Sequence, residues 1–555
     1  MGCGSLGAKA LGLARVAEIV REKIAPAFRP AIQVDIPLLT VIAADVFDAT
    51  LEMNDLRPAA LASLSDQDIS AIFQSATLPV SLVEDLRIFL SHVDTPLAVR
   101  SSSLLEDAMH APFAGVYCTR LIANNQPDSN ERLSALLKAI QSVYASTFFT
   151  DARQYLHAAG RSHDDEKLAV IIQQAVGTFG HGRFYPHISG IARSYNFYPL
   201  GCSRAEDGVV DLALGFGKII VEEGIAWSYS PAYPQANPPY NTLGELLKQS
   251  QKHFWAIDLA PAGVSCPAGE SEDLKQYSLT DAEHDGSLRF IASTYDAAND
   301  RIVMGTAAPG PRLLDFAYIL KAGLIPLNAL VRKLLDACAE VFGHPVELEF
   351  AVAFANPEAV PARFGLLQVR PMAVSRALVD VAAEDLAADR VLVASESVLG
   401  NGAIDSIRDI VYVCPDAFDA ARTKAVAREL EAINRQLMAE HSPYVLIGFG
   451  RWGSTDPSAG IPVRFGQIAG ARIIVEASFP GMEFMPSQGT HFFHNLTSFQ
   501  VLYFSTGPRG DLRIDWAWLE KQDTISRSGY VKHVRLRSPL SVKVDGRTGR
   551  GVIYK

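Results

Sequence analysis

Hydrophobic and polar positions switch between two periods along this chain, and each switch predicts an element. Over residues 8–24 (AKALGLARVAEIVREKI), Leu11, Ala14, Ile19 and Ile24 recur near helical spacing with Lys and Arg on other faces, which predicts an amphipathic helix. A β-branched stretch at 32–43 follows, then helical patterns over 46–92 in which Ser65 and Asp68 are spaced as a capping signal. Strand-like runs recur at 97–99, 168–173, 188–192, 209–214, 346–352 and 365–370, separated by helical stretches such as 131–148 and 325–342. Four prolines in 231–241 predict an irregular surface loop. The mixture is α/β or α+β.

A boundary is expected near 374–390, where an Ala/Asp-rich segment reads as a helical connector. Beyond it the pattern predicts strands at 391–394, 410–413, 444–447, 472–476 and 500–504 and one long amphipathic helix at 416–441. At 555 residues the chain needs several domain-sized cores, and 40 Gly with 31 Pro leave no room for a collagen-like or disordered class. A formal charge of −11 argues against wrapping nucleic acid. Residues 527–555 nevertheless hold eight Lys or Arg and one Asp, so an anionic partner is expected there, unless the segment is simply a solvated basic hairpin. Six cysteines without a CxxC pair, no apolar leader and no long uncharged apolar run predict a cytoplasmic chain without membrane association.

The candidate chemistry centres on a hairpin. In VELEFAV, Glu347 and Glu349 share one strand face opposite Val346, Leu348 and Phe350; in GLLQVRP, Gln368 and Arg370 share a face opposite Leu367 and Val369. If the strands pair, two carboxylates, an amide and a guanidinium converge. One cation cannot neutralise two clustered carboxylates, so a divalent ion such as Mg2+ is expected, with Arg370 gripping a phosphate. The alternative is a charged, solvent-facing edge.

Other stretches are less specific. Around residue 100 a short strand is expected to end at Arg100, before Ser101, Ser102 and Ser103 and the acidic pair Glu106 and Asp107; this is an anion cradle or a helix cap. In LALGFGKIIVEEG the glycines at 215 and 217 allow a ligand close to the backbone, or simply make a tight turn between two apolar runs. GxGxxG occurs at Gly2/Gly4/Gly7 and Gly448/Gly450/Gly453, but neither sits between a strand and a helix, so no dinucleotide site is expected. In LIGFGRWGSTDPSAGIPV, Arg451, Trp452, Ser454 and Asp456 could bind a planar or anionic ligand, or the loop packs on the core.

In order, LGAKALGLA, AVRSSSLLEDAMHAPFAG, VIIQQAVG, SGIARS, LGFGKIIVEEG and ELEF…LLQVRPM resemble segments of the N-terminal nucleotide-binding domain of the pyruvate phosphate dikinase and phosphoenolpyruvate synthase family. The resemblance implies an ATP-grasp-like fold over 1–375 in which two subdomains clamp ATP, a connector at 376–390 and a separate C-terminal α/β domain at 391–555. It implies that Lys9 and Arg100 contact phosphates, that Gln173 lies near adenine, that Glu347, Glu349 and Gln368 serve the metal, and that Arg370 faces the phosphates. Ala8 and Arg193 depart from the family pattern, which has Gly and an apolar residue there. The family's TIM barrel has no counterpart, and the remaining 165 or so residues are too few to build one. His491 follows Gly489 and Thr490 as the family's phosphoryl-accepting histidine follows its own Gly and Ser/Thr, so it is the candidate acceptor, against a structural role.

The expected function is a Mg-ATP-dependent phosphotransferase of kinase type with catalytic Lys9, Arg100, Arg370 and His491 and an unidentified acceptor. The rival expectations are a non-catalytic ATP sensor that binds a partner, and an ATP-grasp ligase.

Overall fold

The computed structural model describes residues 1–61, 64–104, 106, 116–158, 161–162, 166–197, 199, 203–223, 225–236, 242–260, 273–355, 359–372, 374, 379–454, 460–478, 496, 501–506 and 512–555. Two sheets frame the N-terminal part. The first is antiparallel, in the order Leu39–Ile42, Leu168–Gln174, Leu97–Ser103, Thr119–Ile122. Helices cover it because their apolar positions fall on one stripe: Val80–His92 buries Leu82, Leu86 and Leu90 at four-residue spacing. The helix Asp66–Ser75 begins with the expected capping box between Ser65 and Asp68.

The second sheet has six strands, in the order Ile32–Asp35, Ala362–Pro371, Val346–Phe354, Ile188–Arg193, Val209–Ala213, Trp227–Tyr229. Its first pair is parallel and the others are antiparallel. Helix Leu327–Phe342 packs its Leu330, Val331, Leu334 and Leu335 into the core of this sheet. A four-stranded sheet (Leu274–Ser278, His253–Asp258, Arg183–Tyr185, Thr178–Gly180) and a three-stranded one (Arg301–Met304, Ala292–Asp296, Arg312–Leu314) complete this half. The result is the mixed α+β architecture expected from the periodicity.

The strands from Val391 onward form their own five- and seven-stranded sheets. In the larger one, Asp409–Val413, Tyr444–Phe449, Ala471–Ala477 and Leu502–Ser505 run parallel. One hydrophobic cluster runs from the helical layer of the first sheet, through Tyr155 and Leu156, into Phe465, Leu446 and Ile474 of this C-terminal part. Arg464 pairs with Asp151 at 2.9 Å across the same contact. Among the described residues, no helix is long and apolar enough to cross a membrane.

Several expectations are corrected. The described part of the connector is not a continuous helix; it holds a single 3-10 turn, Ala383–Ala387. The long C-terminal helix starts only at Thr423, because Pro415 opens one short turn and the Asp419 side chain caps a second at Ala421. The strand expected to stop at Arg100 runs on to Ser103, so RSSS is a strand and not a helix cap. The apolar run after Gly217 is a π turn, Ile219–Glu223. Of the proline-rich loop, residues 231–236 are turns and 237–241 lie outside the described residues. Four of the basic C-terminal side chains (Arg535, Arg537, Arg547 and Lys555) form ion pairs with acidic neighbours.

The first helix, Gly7–Ile19, lies against both large sheets. Gly7 has φ +73°, and a Cβ there would collide with the Ser102 backbone. Five residues on, a Cβ at Gly12 would stand 2.5 Å from the carbonyl oxygen of Val369. Ser102 locks the contact by accepting from the Ala10 amide and donating to the Leu6 carbonyl. Lys9 is therefore placed by backbone packing on two sheets at once. Gly12→Ala gains about 1 kcal/mol of helix propensity. The collision outweighs it, so we predict a net destabilisation of about 1–2 kcal/mol in urea unfolding, as for an overpacked core.

Candidate functional site

The two large sheets face each other across a cleft of about 460 Å³, within the range of small-ligand sites. Ala98, Arg100 and Gln173 line it from the first sheet, and Glu347, Glu349, Gln368 and Arg370 from the second. Lys9 reaches it from the first helix.

The hairpin forms in the expected register. Glu347 lies opposite Arg370 and Glu349 opposite Gln368 on neighbouring antiparallel strands, so alternation aims all four side chains at one face. A register shift follows between Glu349 and Phe350. Arg370 grips Oε1 of Glu347 through Nε at 2.8 Å and an NH2 nitrogen at 2.6 Å. Arg193, from the adjacent strand, donates Nε to Oε2 of Glu347 at 2.6 Å and NH1 to Asp211 at 2.8 Å. Ser228 also donates to Asp211.

The reasoning that one cation must face two carboxylates is corrected here. Three arginines answer them, because Arg100 of the first sheet bridges the cleft. One of its NH2 nitrogens lies 2.7 Å from Oε2 of Glu349 and 2.8 Å from Oε1 of Gln368. Burial pushes the Glu349 carboxyl up, but Arg100 and Arg370 outweigh this and hold it below the usual carboxylate range. Burial likewise works against the charge of Arg193, yet Glu347 and Asp211 hold it above the ordinary guanidinium value. The side chain of Arg193 is 4% exposed, that of Glu347 2% and that of Asp211 6%, so this is an enclosed ion triad. Such a triad is favourable only while every member keeps its partner.

Lys9 donates to Oε1 of Glu106 at 2.7 Å and contacts Ser101 Oγ at 3.3 Å. Glu106 also accepts from Ser101 Oγ and the Ser103 amide. The hydroxyls expected to cradle an anion thus hold the partner of Lys9 instead. Beside them Tyr117, which lines the cleft, donates to Glu166 at 2.7 Å. Burial pushes the Glu166 carboxyl up to about 7, with bonds from Ser103 and Tyr117 opposing and Glu106 reinforcing the rise.

Among the described side chains that line the cleft, two buried donor atoms have no hydrogen-bond partner. Nε of Arg100 and Nε2 of Gln173 are both shielded from solvent and unbonded. An unsatisfied buried donor costs about 1–3 kcal/mol, and both of these side chains line the same cleft. These two donors therefore lack acceptors, which an oxygen-rich anionic ligand with a heterocycle can supply. At its rim, Phe216, Gly217 and Lys218 also line the space, since Gly215 (φ +81°) lets the loop close on the carbonyl of Trp255. Lys218 lies 4.1 Å from the Trp255 ring centre.

Sequence reasoning missed Glu106 as the partner of Lys9, Arg193 as the partner of Glu347, and Lys218. Arg193 carried a signal, a charge in an otherwise apolar strand. The loop at 446–463 resolves towards packing: Trp452 is 1% exposed and its Nε1 bonds the Val475 carbonyl, so it offers no stacking face. Its GxGxxG encloses a short strand, Arg451–Trp452, and residues 455–459 lie outside the described residues. Asp456 and His491 lie outside the described residues.

A cleft between two sheets, with a lysine, two arginines and paired carboxylates at one end, has the chemistry to hold a phosphate compound. The sequence itself specifies which: the family described as pyruvate phosphate dikinase, AMP/ATP-binding domain, matches residues 3–390, and the chain belongs to it. These residues therefore carry an ATP-binding domain of phosphotransferase type.

Two predictions test this electrostatic account. Arg193→Ala leaves Glu347 and Asp211 short of a buried partner and should cost about 3–5 kcal/mol in urea unfolding. Glu166 has a folded pKa above its unfolded value, so its contribution is full below about pH 4.5 and is lost as pH rises through about 7. Glu166→Gln should therefore be stabilising relative to wild type at pH 8 by up to about 3 kcal/mol, with the gap closing by pH 4.5; a gap independent of pH contradicts the assignment.

Proposed function

We propose that the chain is a Mg-ATP-dependent phosphotransferase whose nucleotide lies in the cleft between the two large sheets. The observation that carries this reading is the pair of orphaned buried donors, Arg100 Nε and Gln173 Nε2, which line one cavity in an ATP-binding family domain. The phosphates take the Arg100, Lys9 and Arg370 end and the adenine takes the Gln173 side. Lys9, Arg100 and Arg370 stabilise charge on the transferred phosphoryl group. We read residues 1–375 as an ATP-grasp-like pair of subdomains, 376–390 as the connector and 391–555 as a C-terminal unit that supplies the acceptor.

The donor set fits a magnesium ion in part. Glu347 has both oxygens on guanidinium groups. Glu349 Oε2 and Gln368 Oε1 converge on a single point that now holds an Arg100 nitrogen. These two oxygens, with phosphate oxygens, suit Mg2+. The ion would neutralise phosphate charge, while Glu347 holds Arg370 in place. Arg370 lies within electrostatic reach of Tyr155, whose ring is 5.8 Å from Phe465 of the C-terminal part. The charged end of the cleft thus faces that part, which favours an acceptor there, His491 being the candidate.

Titration calorimetry of the full chain with ATP and Mg2+ should show one saturable site, and Gln173→Ala should weaken it by about tenfold, the value of one buried hydrogen bond. Absence of saturable binding at millimolar ATP overturns the reading. Lys9→Ala and Arg370→Ala should each lower phosphoryl transfer by at least about 10³-fold. With ATP labelled at the β-phosphate, acid-labile label on the protein with AMP release, lost in His491→Ala, identifies the acceptor; binding without hydrolysis or transfer supports the sensor instead.

A further inference from the structure

Away from the cleft, two histidines and a carboxylate from separate elements meet at the surface. His181 lies in the turn joining strands Thr178–Gly180 and Arg183–Tyr185; His284 ends helix Leu279–His284, and Asp285 follows it. One ligand atom from each of the three lies within 4.8 Å of the others, and the two imidazole rings are 4.3 Å apart between centres. None of the three lines the cleft. We propose that His181, His284 and Asp285 form a binding site for a borderline transition-metal ion of the Zn2+ type.

The carboxylate is built into place. Asp285 is 1% exposed at its side chain, whereas His181 is 62% exposed, so the acid is fixed and an imidazole remains open to solvent. Its Oδ1 accepts from the His181 amide at 3.1 Å and faces His181 Nδ1 at 2.8 Å. Its Oδ2 accepts from Tyr185 Oη at 2.8 Å, and Arg183 Nε stands 3.5 Å away. Gly180 makes the approach possible, since a Cβ there would stand 2.5 Å from Oδ2. Around a tetrahedral ion with bonds of about 2.0–2.2 Å, ligand atoms stand about 3.4 Å apart. With Asp285 held in place, closing from 4.8 Å or less falls to the two exposed imidazoles.

The donor chemistry selects the ion. Two imidazoles and one carboxylate suit Zn2+, Ni2+ or Cu2+, while Mg2+ prefers oxygen ligands. The site therefore does not compete for the ion that serves ATP. Bound metal would staple the 178–185 hairpin to the helix. That hairpin carries Phe184, which packs with Ile257, Leu121 and Phe216 behind the cleft, so the staple would stiffen one wall of the nucleotide site.

The test uses the full chain, stripped with a chelator and titrated with ZnCl2 by calorimetry, alongside Co2+ monitored by visible absorption. We expect one equivalent to bind at micromolar concentration, with the d–d bands of a tetrahedral ion for Co2+. His181→Ala and His284→Ala should each weaken binding by at least about tenfold. Zinc should raise the melting temperature of wild type more than that of either variant, and millimolar Mg2+ should not displace it. Absence of saturable binding below about 1 mM, or unchanged affinity in both variants, overturns the proposal. Either result leaves the reading of the cleft as the ATP site standing, since that is tested separately by ATP titration.

Discussion

A buried carboxylate clasped between two guanidinium groups is the constraint on which the site depends. The Glu347 side chain is 2% exposed and is held by Arg193 behind it and Arg370 beside it, and burying it without them would be costly. Arg193 in turn needs Asp211, which draws a third and a fourth strand into the same network. The register of the central strands thus carries electrostatic as well as apolar information. A one-residue slip would turn Glu347 and Glu349 into the apolar core and leave Arg100 and Arg370 unanswered. Arg100 then joins this network to the opposite sheet, so the cleft has charged walls that pull together before any ligand arrives.

Much of this was legible in the sequence because it rests on period-two alternation. Glu347, Glu349, Gln368 and Arg370 could be assigned to one face from spacing alone, and the strands do pair as that spacing requires. What spacing cannot carry is the identity of partners from distant segments. Arg100 reaches Glu349 across 249 residues and Arg193 reaches Glu347 across 154, and such pairings are set by the order of strands in a sheet. For the same reason spacing does not reveal that Arg100 and Arg193 join Arg370 in balancing the two carboxylates. The serines after Arg100 were misread because local hydrogen-bonding residues suit caps and strands alike, and tertiary pairing with Leu168–Gln174 decided for the strand. Further on, Pro415 and Asp419 shortened the long helix by local turn chemistry that outweighed its amphipathic stripe.

The C-terminal part has a parallel sheet of its own, yet it shares a continuous apolar cluster with the helices that cover the first sheet. It is docked on those helices through Tyr155, Phe465 and the pair of Arg464 with Asp151. Inside it, Glu476 is fully buried, and burial pushes its carboxyl up to about 7 with Tyr503 and the nearby Arg451 opposing. Trp452 next to it is likewise part of the core of that sheet.

The most direct measurement is a crystal structure of the full chain with Mg2+ and a non-hydrolysable ATP analogue. The account predicts phosphate oxygens within hydrogen-bonding distance of Arg100 Nε, the adenine against Gln173 Nε2, and Glu347 still held between Arg193 and Arg370. An analogue bound on any other sheet, or a cleft left vacant at saturating analogue, would contradict it.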